Sequence, residues 1–206
     1  MGSGFFDTFQ IVGLIFFLCV FVGRTLYLRF ARGIQPITLG VGKAGIRRLV
    51  EISFFVGLVV WIIEVILYAL QLEFRLLPHP LDARLIDSTL AKSVGVILCT
   101  GGFGIFVWAL MSFGDSWRIG IDERAPGELV TGGAFAVSRN PIFVFLDLYF
   151  VGTFLISGTL TFLAFAAVIV AGVHYQILQE EKFLTKTYGQ TYRNYCAGTG
   201  RYFSWR

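Results

Sequence analysis

Gly127-Glu-Leu-Val-Thr-Gly-Gly-Ala-Phe-Ala-Val-Ser-Arg-Asn-Pro-Ile-Phe143 opens a hydrophobic excursion that ends at Glu180-Glu181 and a polar, tyrosine-rich tail. The apolar stretch is long enough to cross a bilayer twice, at roughly 20 residues per crossing. Ser157-Gly158-Thr159 in its middle reads as a tight turn with a capping hydroxyl. A hairpin returns to the side it left, so its two polar ends are expected on one membrane face. There they would form a site that holds a polar molecule against the lipid boundary.

The rest of the chain fits that setting. It has 206 residues, of which 56% are hydrophobic and only 15% charged, and its mean hydropathy is +0.74. A soluble domain carries about 25% charged residues. The apolar runs are also far longer than the ~10-residue alternating strands of a membrane barrel. The expected fold is an all-α integral membrane protein. The net charge of +4 reflects basic residues gathered on the cytoplasmic side, so no nucleic-acid partner is expected. Cys19, Cys99 and Cys196 show no pairing or ligand spacing, and no metal site is expected. The Gly-rich Cys99-Thr-Gly-Gly-Phe-Gly lacks the preceding strand of a nucleotide loop.

Five spans are predicted, at about 5–23, 49–72, 88–113, 140–155 and 160–178. The last two are short for full crossings. The first carries no cleavage signal and reads as retained, and Phe6 stands where a myristoylation signal would need Ser or Thr. The loop from Arg24 to Arg48 holds six basic residues and no acid, which places it in the cytoplasm. The N-terminus is then outside, and the 114–138 loop and the C-terminal tail are cytoplasmic. Glycines at 101, 102 and 104 are expected to allow close helix packing. Asn140-Pro141 starts the fourth span, with Asn at the cap and Pro in the first turn. One domain is expected over 1–206, with 1–113 as anchoring spans and 114–206 as the cofactor-binding loop, hairpin and tail.

Ionisable groups inside a membrane are costly, so each is a candidate site. Glu64 is either a functional carboxylate or a hydrogen-bonded link between helices. Asp147 sits two turns into the fourth span, beside the expected site, and is a candidate for substrate binding. Glu51 lies near Arg47 and Arg48 and reads as an ion pair. His174 reads as a packing residue. Gly172, Gln176 and Glu180 recur at i, i+4 and i+8 and share a face. Glu181 is turned by about 100°, so the two acids should have different jobs, one lining a pocket and one facing loop or solvent.

Leu129-Val130-Thr131-Gly132 with Phe135, then Arg139-Asn140-Pro141-Ile142-Phe143, resembles the signature LVTxGxY…RHPxY of a group of membrane methyltransferases. Glu180-Glu181 with Leu184, then Tyr188-Gly189, Tyr192 and Tyr195, resembles the end of their hairpin. The group comprises the isoprenylcysteine carboxyl methyltransferases and the phospholipid methyltransferases, and the likeness covers roughly 110–206. It implies S-adenosylmethionine as methyl donor, with S-adenosylhomocysteine as product. The implied cofactor contacts are Glu128, Leu129, Val130, Phe135, Asn140, Pro141, Ile142, Phe143 and Glu180. Arg139 and the tail tyrosines would close the pocket, and Gln176 and Arg139 would act at the reacting end, with Gln176 and Asp147 holding the acceptor. Asn140 and Phe143 stand where the signature has His and Tyr. Gln176 stands where prenylcysteine enzymes carry an Arg, and an amide is a poorer carboxylate partner than a bidentate guanidinium.

The resulting expectation is an isoprenylcysteine carboxyl O-methyltransferase-like enzyme. It would methylate a lipophilic acceptor (a lipid, a small molecule or a prenylated cysteine) at the cytosolic face. Phospholipid N-methylation and a non-catalytic scaffold of the same fold are the alternatives.

Overall fold

The computed structural model describes residues 3–33, 46–114 and 129–204, with side chains from 52 onward in the second stretch. Glu128 and the side chains of Arg47, Arg48 and Glu51 lie outside it, as do Lys43 and much of both polar loops. The described chain is mostly helical. In order it forms α1 (Ser3–Leu26), α2 (Ile46–Ala69), α3 (Thr89–Phe113), α4 (Ala134–Val137), α5 (Pro141–Ser157), α6 (Leu160–Tyr188) and α7 (Gln190–Gly198).

Five long apolar helices follow the predicted order, and two differ from expectation in length. Four of them, over Gly4–Ala31, Ile52–Ala69, Thr89–Phe113 and Leu160–Tyr188, are long and apolar enough to cross a membrane. Helix α5 has 17 residues, which makes it about 25 Å long, short of the ~30 Å hydrocarbon layer. Helix α6 runs ten residues past its expected end at 178. Gln179 to Lys186 consists mostly of good helix formers, and nothing stops them until Gly189 takes a positive φ of 54°. The first helix also outruns its prediction: a wide turn over Tyr27–Ala31 puts Arg24 and Arg29 on helix rather than loop.

The closest helix pair is α3 with α5. Between lipid-facing helices the gain comes from packing, and small residues allow it. The glycines that matter are Gly95 and Gly152: a Cβ at Gly95 would stand 2.6 Å from the Gly152 carbonyl, and one at Gly152 would stand 2.5 Å from the Cys99 sulfur. Of the predicted trio only Gly102 meets a neighbour, Phe145, while Gly101 and Gly104 face open space. Aromatic rings fill the centre. Phe145 stacks on Phe106 at 4.5 Å, and Trp61 of α2 stacks on Phe150 at 4.3 Å.

The loop between α2 and α3 is fastened to the α5–α6 turn. Leu85 and Ile86 donate their N–H groups to the Gly158 carbonyl, and Leu160 donates to Ala83. Gly158 is left-handed at φ 71°, with the Ile86 carbonyl where a side chain would go. The expected hydroxyl cap is missing here: Thr159 occupies the cap position without a capping bond. Glu64 is fully buried and accepts the N–H groups of Leu76 at 2.9 Å and Leu77 at 3.0 Å. Its carboxylate holds the returning loop, away from the hairpin's polar end.

Candidate functional site

The opposite end of the bundle gathers the polar segments. Helix α3 stops at Gly114, whose carbonyl accepts a hydrogen bond from the Arg24 guanidinium at the end of α1. The segment before α5 docks on the same end. Ala134 N–H donates to the Ser112 hydroxyl at 3.0 Å, and the buried Phe135 ring packs edge-on to Phe113 at 4.4 Å.

The tail then folds back over this segment. Arg139 N–H donates to the Gly200 carbonyl at 3.0 Å, and Ser204 N–H donates to Val137 at 2.8 Å. The Asn140 amide donates to the Arg201 carbonyl at 3.1 Å, and the Tyr195 hydroxyl donates to the Phe135 carbonyl at 2.5 Å. These bonds tie residues 135–140 to residues 195–204. Asn140 stands at the cap of α5 as predicted, but without a capping bond: its side chain reaches to the tail instead.

Charge closes the joint. Glu181 pairs with Arg139 at 3.2 Å and takes both an Nε and an Nη bond from Arg201, at 3.0 and 2.7 Å. This bidentate geometry is the strong form of an ion pair. The Arg139 and Glu181 side chains are only 13% and 14% exposed, against 37% for Arg201. Arg139 also donates to the Cys196 sulfur at 2.6 Å. The Glu181 bond raises the Arg201 pKa still further. Burial pushes the Tyr195 hydroxyl up to about 12. Burial, followed by charge on Cys196 and Glu181, raises Tyr192 more. All these groups keep their protons at neutral pH.

The sequence-predicted residues fall into three places. Arg139 and Asn140 are in the joint itself, while Pro141, Ile142 and Phe143 form the first turn of α5, with Pro141 buried and the other two half-buried. Leu129 and Val130 are half-buried at the start of the docked segment, and Phe135 turns its ring into the core. Gln176 and Glu180 meet each other on α6, with a 3.1 Å bond from the amide to the carboxylate. Their face, shared with Gly172, looks toward Phe54 of α2. Asp147 stands apart from them: one carboxylate oxygen is buried with no hydrogen-bond partner among the described residues. His174 is exposed and bonds the Tyr202 hydroxyl at 2.7 Å.

The offset of Glu181 on the helical wheel gives it a role apart from Glu180, facing loop or solvent, and it does meet the tail. Arg201, Cys196 and Tyr202 are given no site role by the sequence, and no spacing links Arg201 to Glu181. Among the described residues, no group of three His, Cys, Asp or Glu side chains converges as a metal would need.

Residues 90–191 match the phospholipid methyltransferase family. Over this stretch the chain belongs to that family. Membership carries methyl transfer as the class of chemistry, and with four crossing-length helices it makes the protein an integral membrane one. The match begins twenty residues before the expected start and so takes in α3, which packs on α5. It ends before Tyr192, so the tail residues that close the joint lie beyond it. Comparison of the chain with curated proteins returned no match.

Proposed function

We propose that the protein is an S-adenosylmethionine-dependent methyltransferase acting on a lipophilic acceptor at the cytosolic membrane face. The N-terminus would be outside, the tail inside, and 1–206 one functional unit. The observation that carries the reading is the joint at the hairpin mouth, where Arg139, Asn140, Glu181 and Arg201 bring pre-hairpin segment and tail together.

The residues present suit the donor. Its carboxylate would meet the first turn of α5, where Ile142 and Phe143 carry backbone N–H groups with no intrahelical partner by position. Its ammonium or hydroxyl groups would meet Glu180, an acceptor-only group when ionised. The donor supplies an electrophilic methyl on a sulfonium, and transfer is an in-line displacement. The protein's own work is then alignment and exclusion of water, each able to lower the barrier by several kcal/mol. The tail would act as the cover, with Glu181 holding it shut through the two arginines.

Two observations favour an amine acceptor over a prenylated cysteine: Gln176 in place of a guanidinium, and an oxygen of Asp147 that has no partner among the described residues. Phospholipid N-methylation is therefore kept as the second reading. Purified protein in lipid vesicles, incubated with methyl-labelled S-adenosylmethionine, is expected to label the organic extract in alkali-stable form. Alkali-labile label would identify carboxyl methylation instead, and an unlabelled extract would refute the enzyme.

A further inference from the structure

The loop between α2 and α3 is built inside out. Gln71, at a positive φ of 55°, follows the end of α2 and turns the chain back along it. Leu72, Phe74, Leu76 and Leu85 are then exposed. The charged groups turn inward instead. Arg75 pairs with Asp82 at 3.7 Å and lies over the Tyr68 ring at 4.0 Å, and the side chains of both charged residues are mostly buried. A loop facing water would exchange the two sets. Glu73 stays exposed between Leu72 and Phe74.

The backbone follows the same plan. The Arg75 guanidinium donates to the carbonyls of Leu72 and Phe74, and the buried Glu64 carboxylate accepts the N–H groups of Leu76 and Leu77. Side chains thus satisfy groups that water would satisfy in an ordinary external loop. Non-helical backbone at membrane depth requires that internal satisfaction. Depth agrees: Glu64 stands seven residues before Gln71, about 10 Å lower along the helix, so Leu76 and Leu77 sit roughly a turn below the end of α2. The outward side chains also continue the exposed apolar surface of the flanking spans, with Ile63 and Leu70 before the loop and Leu90 and Val94 after it.

We propose that residues 72–77 form a wedge seated at the acyl–headgroup boundary of the leaflet opposite the joint, with lipid as its partner. Leu72, Phe74 and Leu76 enter the acyl region, and Glu73 meets the headgroup layer. The same loop holds the hairpin, because Leu85 and Ile86 donate to the Gly158 carbonyl in the α5–α6 turn. Helix α5, with 17 residues, is too short to reach both surfaces. The seated loop therefore sets the depth at which the hairpin hangs.

The test uses the full chain in phosphatidylcholine nanodiscs. Hydroxyl radicals footprint it from the water side, and a diazirine on the upper acyl carbons of the lipid labels it from within. Phe74 is 64% exposed and Phe55, on the α2 span, is 58% exposed, so the two should resist oxidation alike, and Phe74 should take the lipid label. His79, with its side chain 94% exposed, should be oxidised freely and take little of that label. Oxidation of Phe74 as complete as that of His79, each scaled to its free amino acid, would overturn the wedge. Protection of Phe74 from both reagents would overturn it too, by showing a protein partner or a second copy over the loop. Glu64→Leu removes the acceptor of two N–H groups, so exchange of the Leu76 and Leu77 amides should rise about tenfold or more, and Phe74 should become oxidisable. Glu64→Gln keeps an acceptor oxygen and should leave the loop seated. Unchanged exchange in Glu64→Leu would overturn the role given to that carboxylate; where this variant does not fold, the wild-type footprint decides by itself.

Discussion

Replacing Glu181 with Gln keeps the side chain's size and removes the charge that holds both arginines. Removing one partner of a fully buried pair costs about 3–5 kcal/mol, and an exposed pair is worth ~0–1 kcal/mol. Here Arg139 and Glu181 are nearly buried, and Arg201 is over a third exposed. The Arg139 Nε already lacks a partner among the described residues, so the variant would leave that guanidinium with little beyond Cys196 there. The expected loss is about 2–3 kcal/mol of tail docking, a shift of roughly 30- to 140-fold in the open population. Hydrogen exchange reads it directly, because the Arg139 and Ser204 amides bond across the joint to Gly200 and Val137. Their exchange should accelerate by that factor through local opening, while amides in the middle of α3 stay unchanged. Adding Arg201→Gln should then cost little more, since partners in one network are not additive. Wild-type exchange in Glu181→Gln, or full additivity in the double variant, would refute the clasp.

Two further outcomes follow from the same geometry. Gly152→Ala sets a methyl against the Gly95 carbonyl at 2.8 Å and the Cys99 sulfur at 2.5 Å, so about 1–3 kcal/mol should be lost by overpacking. Gly101→Ala meets nothing within 4 Å and should gain up to ~1 kcal/mol of helix propensity; equal thermal midpoints for the two variants would contradict the α3–α5 packing. The joint should also fail in alkali. Tyr195 is raised to about 12 in the folded protein against about 10 unfolded, so its contribution is complete below pH ~10 and is lost as pH rises through 12. Tyrosinate absorbance should show this late titration, and Tyr195→Phe should remove one group from it.

Much of this architecture is legible in the chain. The apolar runs fix the helices, and Ser157-Gly158-Thr159 fixes the turn that returns α6 to the side where α5 began. Helical geometry alone separates Glu180 from Glu181. The misses have physical causes. Gly101 and Gly104 drew attention by clustering, yet a glycine matters where a neighbour's backbone arrives, and only the fold reveals that Gly95 meets Gly152. The end of α6 was placed at the loss of hydrophobicity, but a helix ends where its backbone is stopped, at Gly189. The partnership of Glu181 with Arg201 spans 20 positions and a second helix, and no periodicity encodes it. Asn140 reads as a cap by residue type, whereas its amide is drawn to a carbonyl the returning tail supplies.

Calorimetry with S-adenosylhomocysteine on the detergent-solubilised protein tests the central claim most directly. The account predicts one site per chain, weakened about tenfold or more by Glu180→Ala through loss of a charge-assisted contact. It also predicts weakening by Glu181→Gln through loss of the cover. No heat of binding, or an affinity indifferent to both substitutions, would contradict it.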